Sequence, residues 1–326
     1  MKLAVVGAGA TGGYVGALLA RAGEDVTLVA RGPHLAAMQA HGVRVHDRGG
    51  EWRAAPRCTD DWSTLGDADV CILTLKAHAI PGIAPRLRDC LNPAAVIVPA
   101  QNGIPWWYFQ KHGGHFEGRR LQCLDPDGTL SACLPAERLL GCVVWPATRL
   151  TAPGVIEHVE GNRFTLGELD GERTERASAL AAVLTRAGLK SRVSRRIRSE
   201  IWTKLLGNVA MNPLSALTRA TLIAIATDTH VRPVTRAMML EAAAVAQSLG
   251  IEPDISVDQR LAGAEGVGAH RSSMLQDVES GRPLEVEALI GAVVELGELL
   301  GLDLPHLRTV YACVSLLDRT LRGTPA

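Results

Sequence analysis

Apolar residues in the first half of the chain fall in short runs: Leu3–Val6, Val26–Ala30, Val43–Val45, Val70–Leu75 and Val96–Val98. Around 12–22, 33–41 and 79–90 they return every three or four residues instead, the spacing of a helix with one buried face. Strands alternating with helices predict a doubly wound, mostly parallel sheet. Cys142–Pro146, Val155–Val159 and Phe164–Leu166 read as further strands, with room for antiparallel members. From about residue 194 the period is helical to the end, over 195–212, 230–249, 272–280, 285–300 and 305–321, broken by Pro213, Gly250, Pro253, Pro283 and Pro305. The pattern predicts an α/β domain over 1–193 and an all-α second domain over 194–326. An insertion at about 105–140 is rich in Gly and Pro and contains PWWYFQKHGGHFEG and CLDPDGTLSACLP. Trp106, Trp107, Tyr108 and Phe109 are too apolar to stay in water, so the insertion is expected to be ordered.

Composition narrows the partners. Lys+Arg and Asp+Glu both total 34, so the overall basic excess that a nucleic acid or an anionic membrane surface would call for is missing. Arg195, Arg196 and Arg198 read as a solvated helix start. The seven cysteines form no C-x-x-C pair and no Cys/His set at zinc spacing, which points to free thiols in a reducing cytoplasm and to no metal. Gly7, Gly9, Gly12 and Gly13 interrupt the first apolar stretch where a secretory leader needs a helix, and no A-x-A site follows. No later stretch stays apolar for the roughly twenty residues of a membrane span. A cytoplasmic protein is expected.

KLAVVGAGATGGYVGALLA places G-x-G-x-x-G at Gly7, Gly9 and Gly12, directly after a strand and at the opening of a helix. In that setting the first glycine permits a tight turn. The second lets the backbone approach a pyrophosphate, and the third lets helix and strand pack closely. The helix start adds free N–H groups and a positive dipole end. The motif predicts a bound dinucleotide. NAD enzymes commonly end the second strand in an acid for the ribose 2′-hydroxyl. Here DVTLVARGPH has its only acid, Asp25, at the other end and finishes in Ala30-Arg31. A guanidinium forks readily onto a 2′-phosphate, so Arg31 predicts NADP, against the plainer reading of an exposed arginine.

EIWTKLLGNVAMNPLSALT, residues 200–218, is apolar on almost every side of a helix, yet Lys204, Asn208 and Asn212 share one stripe. A surface pairing of Glu200 with Lys204 is worth only a few tenths of a kcal/mol and leaves both asparagines unexplained. Buried ammonium and amide groups need partners, so the stripe is expected to line a polar site. In RPLEVEALIGAVVELGELLG the wheel puts Leu289, Val293, Leu296 and Leu300 on the buried face and Glu287, Glu295 and Glu298 on the other. Glu285 falls on the apolar face. The helix dipole accounts for an acid in the first turn but not for an inward direction, which asks for a donor such as Lys204. In RSSMLQD, Ser273 followed by Gln276 fits a capping box; the same hydroxyl at a helix start also suits a substrate carboxylate. LTLKAHA sets Lys76, and VPAQNG sets Asn102, just past apolar strands, where open α/β sheets bind ligands. Exposed loop polarity is the simpler account of each.

GAGATGG, TLKAHA, QNG, WTKLLGNVAMNPLSALT and SSMLQDVESGRPLEVEALIG, in that order over most of the chain, resemble the ketopantoate reductases (2-dehydropantoate 2-reductases). The resemblance implies a Rossmann-type domain followed by an all-α, 6-phosphogluconate-dehydrogenase-like domain, in an NADPH enzyme of pantothenate synthesis. It implies Lys204 as the general acid that protonates the 2-oxo group as hydride arrives, with Glu285 contacting substrate and the active-site network. By the same resemblance Asn102, Asn208, Asn212 and Ser273 bind substrate. Gly7, Ala8, Gly9, Ala10, Thr11, Gly12, Arg31 and Lys76 hold the cofactor, with Asn102, Ala147 of WPATR and Glu285 close to it. The 105–140 segment is longer and more aromatic than in the family's simplest members. Because it follows Asn102 directly it is expected to shape the substrate mouth, which leaves the 2-oxo acid open. Another 2-oxo or 3-hydroxy acid is the nearest alternative, and a non-catalytic NADP-sensing protein a more distant one. The apolar faces that helical second domains commonly offer are compatible with a homodimer.

Overall fold

Continuous apolar runs become strands buried on both faces. In the computed structural model, which describes residues 1–266 and 268–323, the strands are β1 (Lys2–Val6), β2 (Asp25–Val29), β3 (Val43–Asp47), β4 (Gly50–Ala54), β5 (Arg57–Thr59), β6 (Val70–Leu73) and β7 (Val96–Pro99). They continue with β8 (Gly141–Val144), β9 (Ala147–Ala152), β10 (Val155–Glu160), β11 (Arg163–Gly167) and β12 (Lys190–Val193). Five of them form a parallel sheet in the order β5-β2-β1-β6-β7. The order reverses between β1 and β6, the switch point of a doubly wound sheet, where ligands bind beyond the strand ends. A parallel bridge from Ile97 to Leu139 passes from β7 to a three-stranded sheet ordered β8-β11-β12, in which β8 runs antiparallel to β11. A third sheet, β4-β3-β10-β9, is mixed.

The first helices are α1 (Ala10–Arg21), α2 (Gly32–His41), α3 (Ala84–Cys90), α4 (Thr129–Cys133) and α5 (Glu175–Arg186). The helix expected over 79–90 is shorter than its pattern: a 3-10 turn covers Ala77–Ala79 and α3 starts only at Ala84, after Pro81 and Gly82. Proline in a helix interior removes a donor and clashes with the preceding turn, which explains the late start. α5 lies outside the expected elements, although Thr174 caps it and Ala177, Leu180, Ala181 and Leu184 repeat at helical spacing.

The second set is α6 (Ile197–Thr218), α7 (Leu222–Thr227), α8 (Val231–Ser248), α9 (Val257–Gly266) and α10 (Ser273–Glu279), then a π turn over Glu287–Gly291, α11 (Ala292–Leu299) and α12 (Pro305–Leu321). α8 packs against α7, α9, α11 and α12. Pro213 does not end its helix as expected but sits inside α6. The lost hydrogen bond costs about 3 kcal/mol; buried neighbours, with Met211 4%, Leu214 8% and Ala216 0% exposed, offset it.

Two compact units result. The first comprises Met1–Gln101, Phe109–Arg119 and Asp127–Ile197; the second comprises Asn102–Tyr108, Arg120–Pro126 and Arg198–Ala326. The aromatic insertion is therefore divided, and Asn102 folds with the helices. Trp106 is 5%, Trp107 1%, and Tyr108 and Phe109 0% exposed, so the segment is packed rather than loose.

Candidate active site

In the first unit the chain leaves β1 through Gly7 at φ +96°, a left-handed conformation that favours glycine. The Thr74 hydroxyl donates to the Gly7 carbonyl at 2.8 Å, and a Cβ on Gly12 would overlap that hydroxyl, so β6 and α1 meet at close contact. Gly9 is exposed, and a Cβ there would meet nothing nearer than the Gly7 carbonyl at 3.9 Å. α1 then starts at Ala10 with no side-chain cap and no acid in its first turn. Its orphan N–H groups and dipole are open to an anion, which is the fit a dinucleotide pyrophosphate requires.

The other first-unit candidates surround this turn to different degrees. Thr11 Oγ1 lies 3.2 Å from Thr148 Oγ1, which brings the start of β9, with Ala147, to the glycine turn. Arg31 is exposed at the N-cap of α2, directly after β2. Lys76 is half-buried before the 3-10 turn that follows β6. His34, which no motif marks, joins the parts. Its Nδ1 accepts from the Gly154 N–H at 2.9 Å, so in the neutral ring Nε2 carries the proton and donates to the Ala8 carbonyl at 2.7 Å.

The polar stripe lies in the second unit. Lys204 Nζ donates to Asn102 Oδ1 at 2.6 Å, and Asn102 Nδ2 donates to Glu285 Oε2 at 3.5 Å. Three residues far apart in the chain thus form one hydrogen-bonded line, all half-buried. Glu200 is 3% exposed, so its side of α6 is not the solvated surface that a plain i, i+4 pair with Lys204 would occupy. Asn208 is half-buried and Asn212 is 5% exposed, on the same face of α6 as Lys204. Charge and amide capacity side by side can polarise a carbonyl oxygen and hold a carboxylate.

The neighbouring aromatic segment is anchored to the same helix. Trp202 Nε1 donates to the Tyr108 hydroxyl at 2.7 Å, and Arg198 Nε donates to the Tyr108 carbonyl at 2.8 Å. Burial pushes the Tyr108 phenol up to about 12 despite the indole donor.

Two expectations for the second unit need correction. Ser272, not Ser273, caps α10: its hydroxyl accepts from the Leu275 N–H at 3.0 Å, while Ser273 is exposed at the first helical position. Glu287 and Glu295 do not face away from the protein. Tyr311 donates to Glu287 Oε2 at 2.9 Å, and Glu295 accepts the N–H groups of Gln122 at 2.6 Å and Cys123 at 2.9 Å. The wheel's apolar face holds, with Leu289, Val293 and Leu296 buried; its other side is covered too, by Tyr311 and by the backbone at Gln122 and Cys123. Among the described residues no group of three or more His, Cys, Asp or Glu could hold a metal, and no helix is long and apolar enough to cross a membrane.

Residues 3–171 match the family model Ketopantoate reductase PanE/ApbA, and residues 196–318 match the model of its C-terminal part. The chain belongs to the ketopantoate reductase family. It is 48% identical over 315 residues to a 2-dehydropantoate 2-reductase of Mesorhizobium japonicum, covering 96% of this chain and 97% of that one. A 2-dehydropantoate 2-reductase of Archaeoglobus fulgidus is 32% identical over 314 residues, with 96% of each chain covered. Among solved structures, a PanE/ApbA family ketopantoate reductase from Ralstonia eutropha superposes with a TM-score of 0.84 at 28% identity, over 99% of this chain and 100% of that one. As a ketopantoate reductase family member with the Rossmann-like and helical architecture of that family, the chain is an oxidoreductase acting on a CH–OH group.

Proposed function

We propose that this protein reduces a 2-oxo acid, 2-dehydropantoate (ketopantoate) first among them, to the 2-hydroxy acid with NADPH. The observation that carries the reading is the line Lys204–Asn102–Glu285, with Lys204 Nζ 2.6 Å from the Asn102 amide oxygen. The names of the relatives support the same reaction, since those from Mesorhizobium japonicum and Archaeoglobus fulgidus are 2-dehydropantoate 2-reductases.

Gly7 to Gly12 would hold the pyrophosphate on the α1 N-terminus, Arg31 the 2′-phosphate, and Lys76 and Ala147 would flank the nucleotide. NADPH supplies a hydride when bound. Reduction at C2 leaves negative charge on the carbonyl oxygen. Lys204 stabilises that charge and then donates its proton, a contribution of about 10²–10⁴ in rate for a positioned general acid. Asn102 orients the ammonium group by accepting from it, and adds no competing charge. Glu285 holds the other end of the Asn102 amide. Asn208, Asn212 and Ser273 offer donors to the substrate's carboxylate and hydroxyl groups. The seven free thiols suit a reducing cytoplasm.

The reading is tested by mixing the protein with NADPH and a panel of 2-oxo acids, ketopantoate included, and following nicotinamide oxidation. Ketopantoate is expected to be turned over best. Lys204→Ala is expected to bind NADPH as the wild type does and to lose about 10²–10⁴ in kcat. An unchanged kcat removes Lys204 from the chemistry. The buried run Trp106–Tyr108 directly after Asn102 favours a second reading, a different 2-oxo or 3-hydroxy acid, which preferential turnover of another panel member would establish.

A further inference from the structure

We propose that Gly103 and the main-chain carbonyl of Ala288 are positioning groups for Lys204, clamping the Asn102 amide against its ammonium through the π turn. The inference rests on the general-acid role given to Lys204 above.

In a regular α-helix the Ala288 carbonyl would accept from the Ala292 N–H. Here the Ala292 N–H reaches back five residues to the Glu287 carbonyl. The Ala288 carbonyl thereby loses that partner, and it accepts from the Ile104 N–H at 2.8 Å. A π turn inside a helix costs regular hydrogen bonding and recurs at functional sites; this one makes an acceptor for the loop that carries Asn102. Glu285, the far end of the polar line, lies two residues ahead of the turn.

Gly103 sits between the two bonded points. Its φ of +83° is in the left-handed region, and a Cβ built on it would overlap the Ala288 carbonyl oxygen and carbon. Both obstacles are backbone, so no side-chain rotation relieves them. Any other residue must push the loop off the π turn and carry Asn102, its neighbour, away from Lys204. The Asn102–Lys204 bond at 2.6 Å and the Asn102–Glu285 contact at 3.5 Å leave little slack for such a shift.

The test compares Gly103→Ala, Asn102→Ala and the double variant of the full chain. One readout is independent of turnover: the acetylation rate of Lys204 relative to the exposed Lys190, followed by peptide mass spectrometry with limiting acetic anhydride. Each single substitution is expected to raise Lys204 labelling severalfold, and the double variant to go no further than Asn102→Ala alone. With ketopantoate and NADPH, Gly103→Ala is expected to lower kcat by about 10²-fold, the scale of an ångström-sized misplacement, with the KM for NADPH unchanged. That loss should vanish in the Asn102→Ala background, as coupled sites require. Wild-type labelling in Gly103→Ala, or losses that multiply in the double variant, would overturn the proposal. Should Gly103→Ala not fold, Ala288→Gly loosens the same clamp and must raise Lys204 labelling as well. Full turnover by Lys204→Ala, with the labelling pattern intact, would sink the general-acid reading and leave the clamp standing.

Discussion

Lys204 shows what a single residue type announces and what it leaves open. An ammonium group on a helix otherwise lined by Ile201, Trp202, Leu205 and Leu206 is out of place unless something receives it, and that mismatch is visible in the letters alone. Its receiver is not visible, because Asn102 is about a hundred residues away and only folding makes the 2.6 Å contact. Ser272 and Ser273 make the same point at shorter range: adjacent serines are equivalent in a pattern, and only the backbone decides that Ser272 turns its oxygen onto the Leu275 N–H. Arg31 carries the prediction that belongs at this scale. It is exposed directly after β2, with no acid at that strand end to offer a ribose hydroxyl. Arg31→Ala is expected to weaken NADPH binding roughly 10- to 100-fold, the scale of a hydrogen bond to a charged group, and to leave NADH near its wild-type affinity. Equal losses in fluorescence titrations with the two nucleotides would refute the 2′-phosphate assignment.

At the level of elements, legibility followed burial. β1 and β6, inside their sheet, and β7, whose outer side is covered at the Ile97–Leu139 bridge, are unbroken apolar runs and could be read directly. The strands that the pattern missed, β4, β5, β9 and β12, all lie at sheet edges, where charged residues such as Arg53, Arg57, Arg149 and Lys190 are tolerated and protect an open edge. The π turn was illegible for a different reason: it goes with a tertiary bond, from the Ile104 N–H to the Ala288 carbonyl, that no local pattern records. The first residue of the turn, Glu287, is a half-buried acid. Gly291 gives the Glu287 carboxylate room that a Cβ would take away. Burial first, then the negative charges of Asp318 and Glu295, holds Glu287 above the usual carboxylate range, although Tyr311 donates to it. The folded state therefore keeps this proton to higher pH than the unfolded chain does. Its contribution is full below the ordinary value of 4.5 and is lost as pH rises through the folded value. Glu287→Gln is expected to have a higher urea midpoint than the wild type at about pH 7.5 and to lose that advantage toward about pH 4. A constant difference across that range would mean that the carboxylate is not desolvated.

For the whole molecule, the two units are not two lengths of chain. Asn102–Tyr108 and Arg120–Pro126 leave the first half to fold with the helices, and Tyr108 takes the Trp202 indole hydrogen at 2.7 Å. A fragment ending at Ile197 is therefore expected to expose Trp106, Trp107 and Tyr108, to bind a hydrophobic dye and to unfold without a cooperative transition. Cooperative unfolding without dye binding would show that these aromatics have enough partners in the first unit. The sequence by itself determined the order of helices and strands in the interior, the glycine turn and the identity of the polar residues on α6. These follow from local rules: period, turn chemistry, and the cost of burying a polar group. Only the tertiary structure decided which distant partners those groups find, how the aromatic insertion is shared, and where a helix winds into a π turn. Each of these depends on contacts between segments whose separation along the chain carries no record of their meeting.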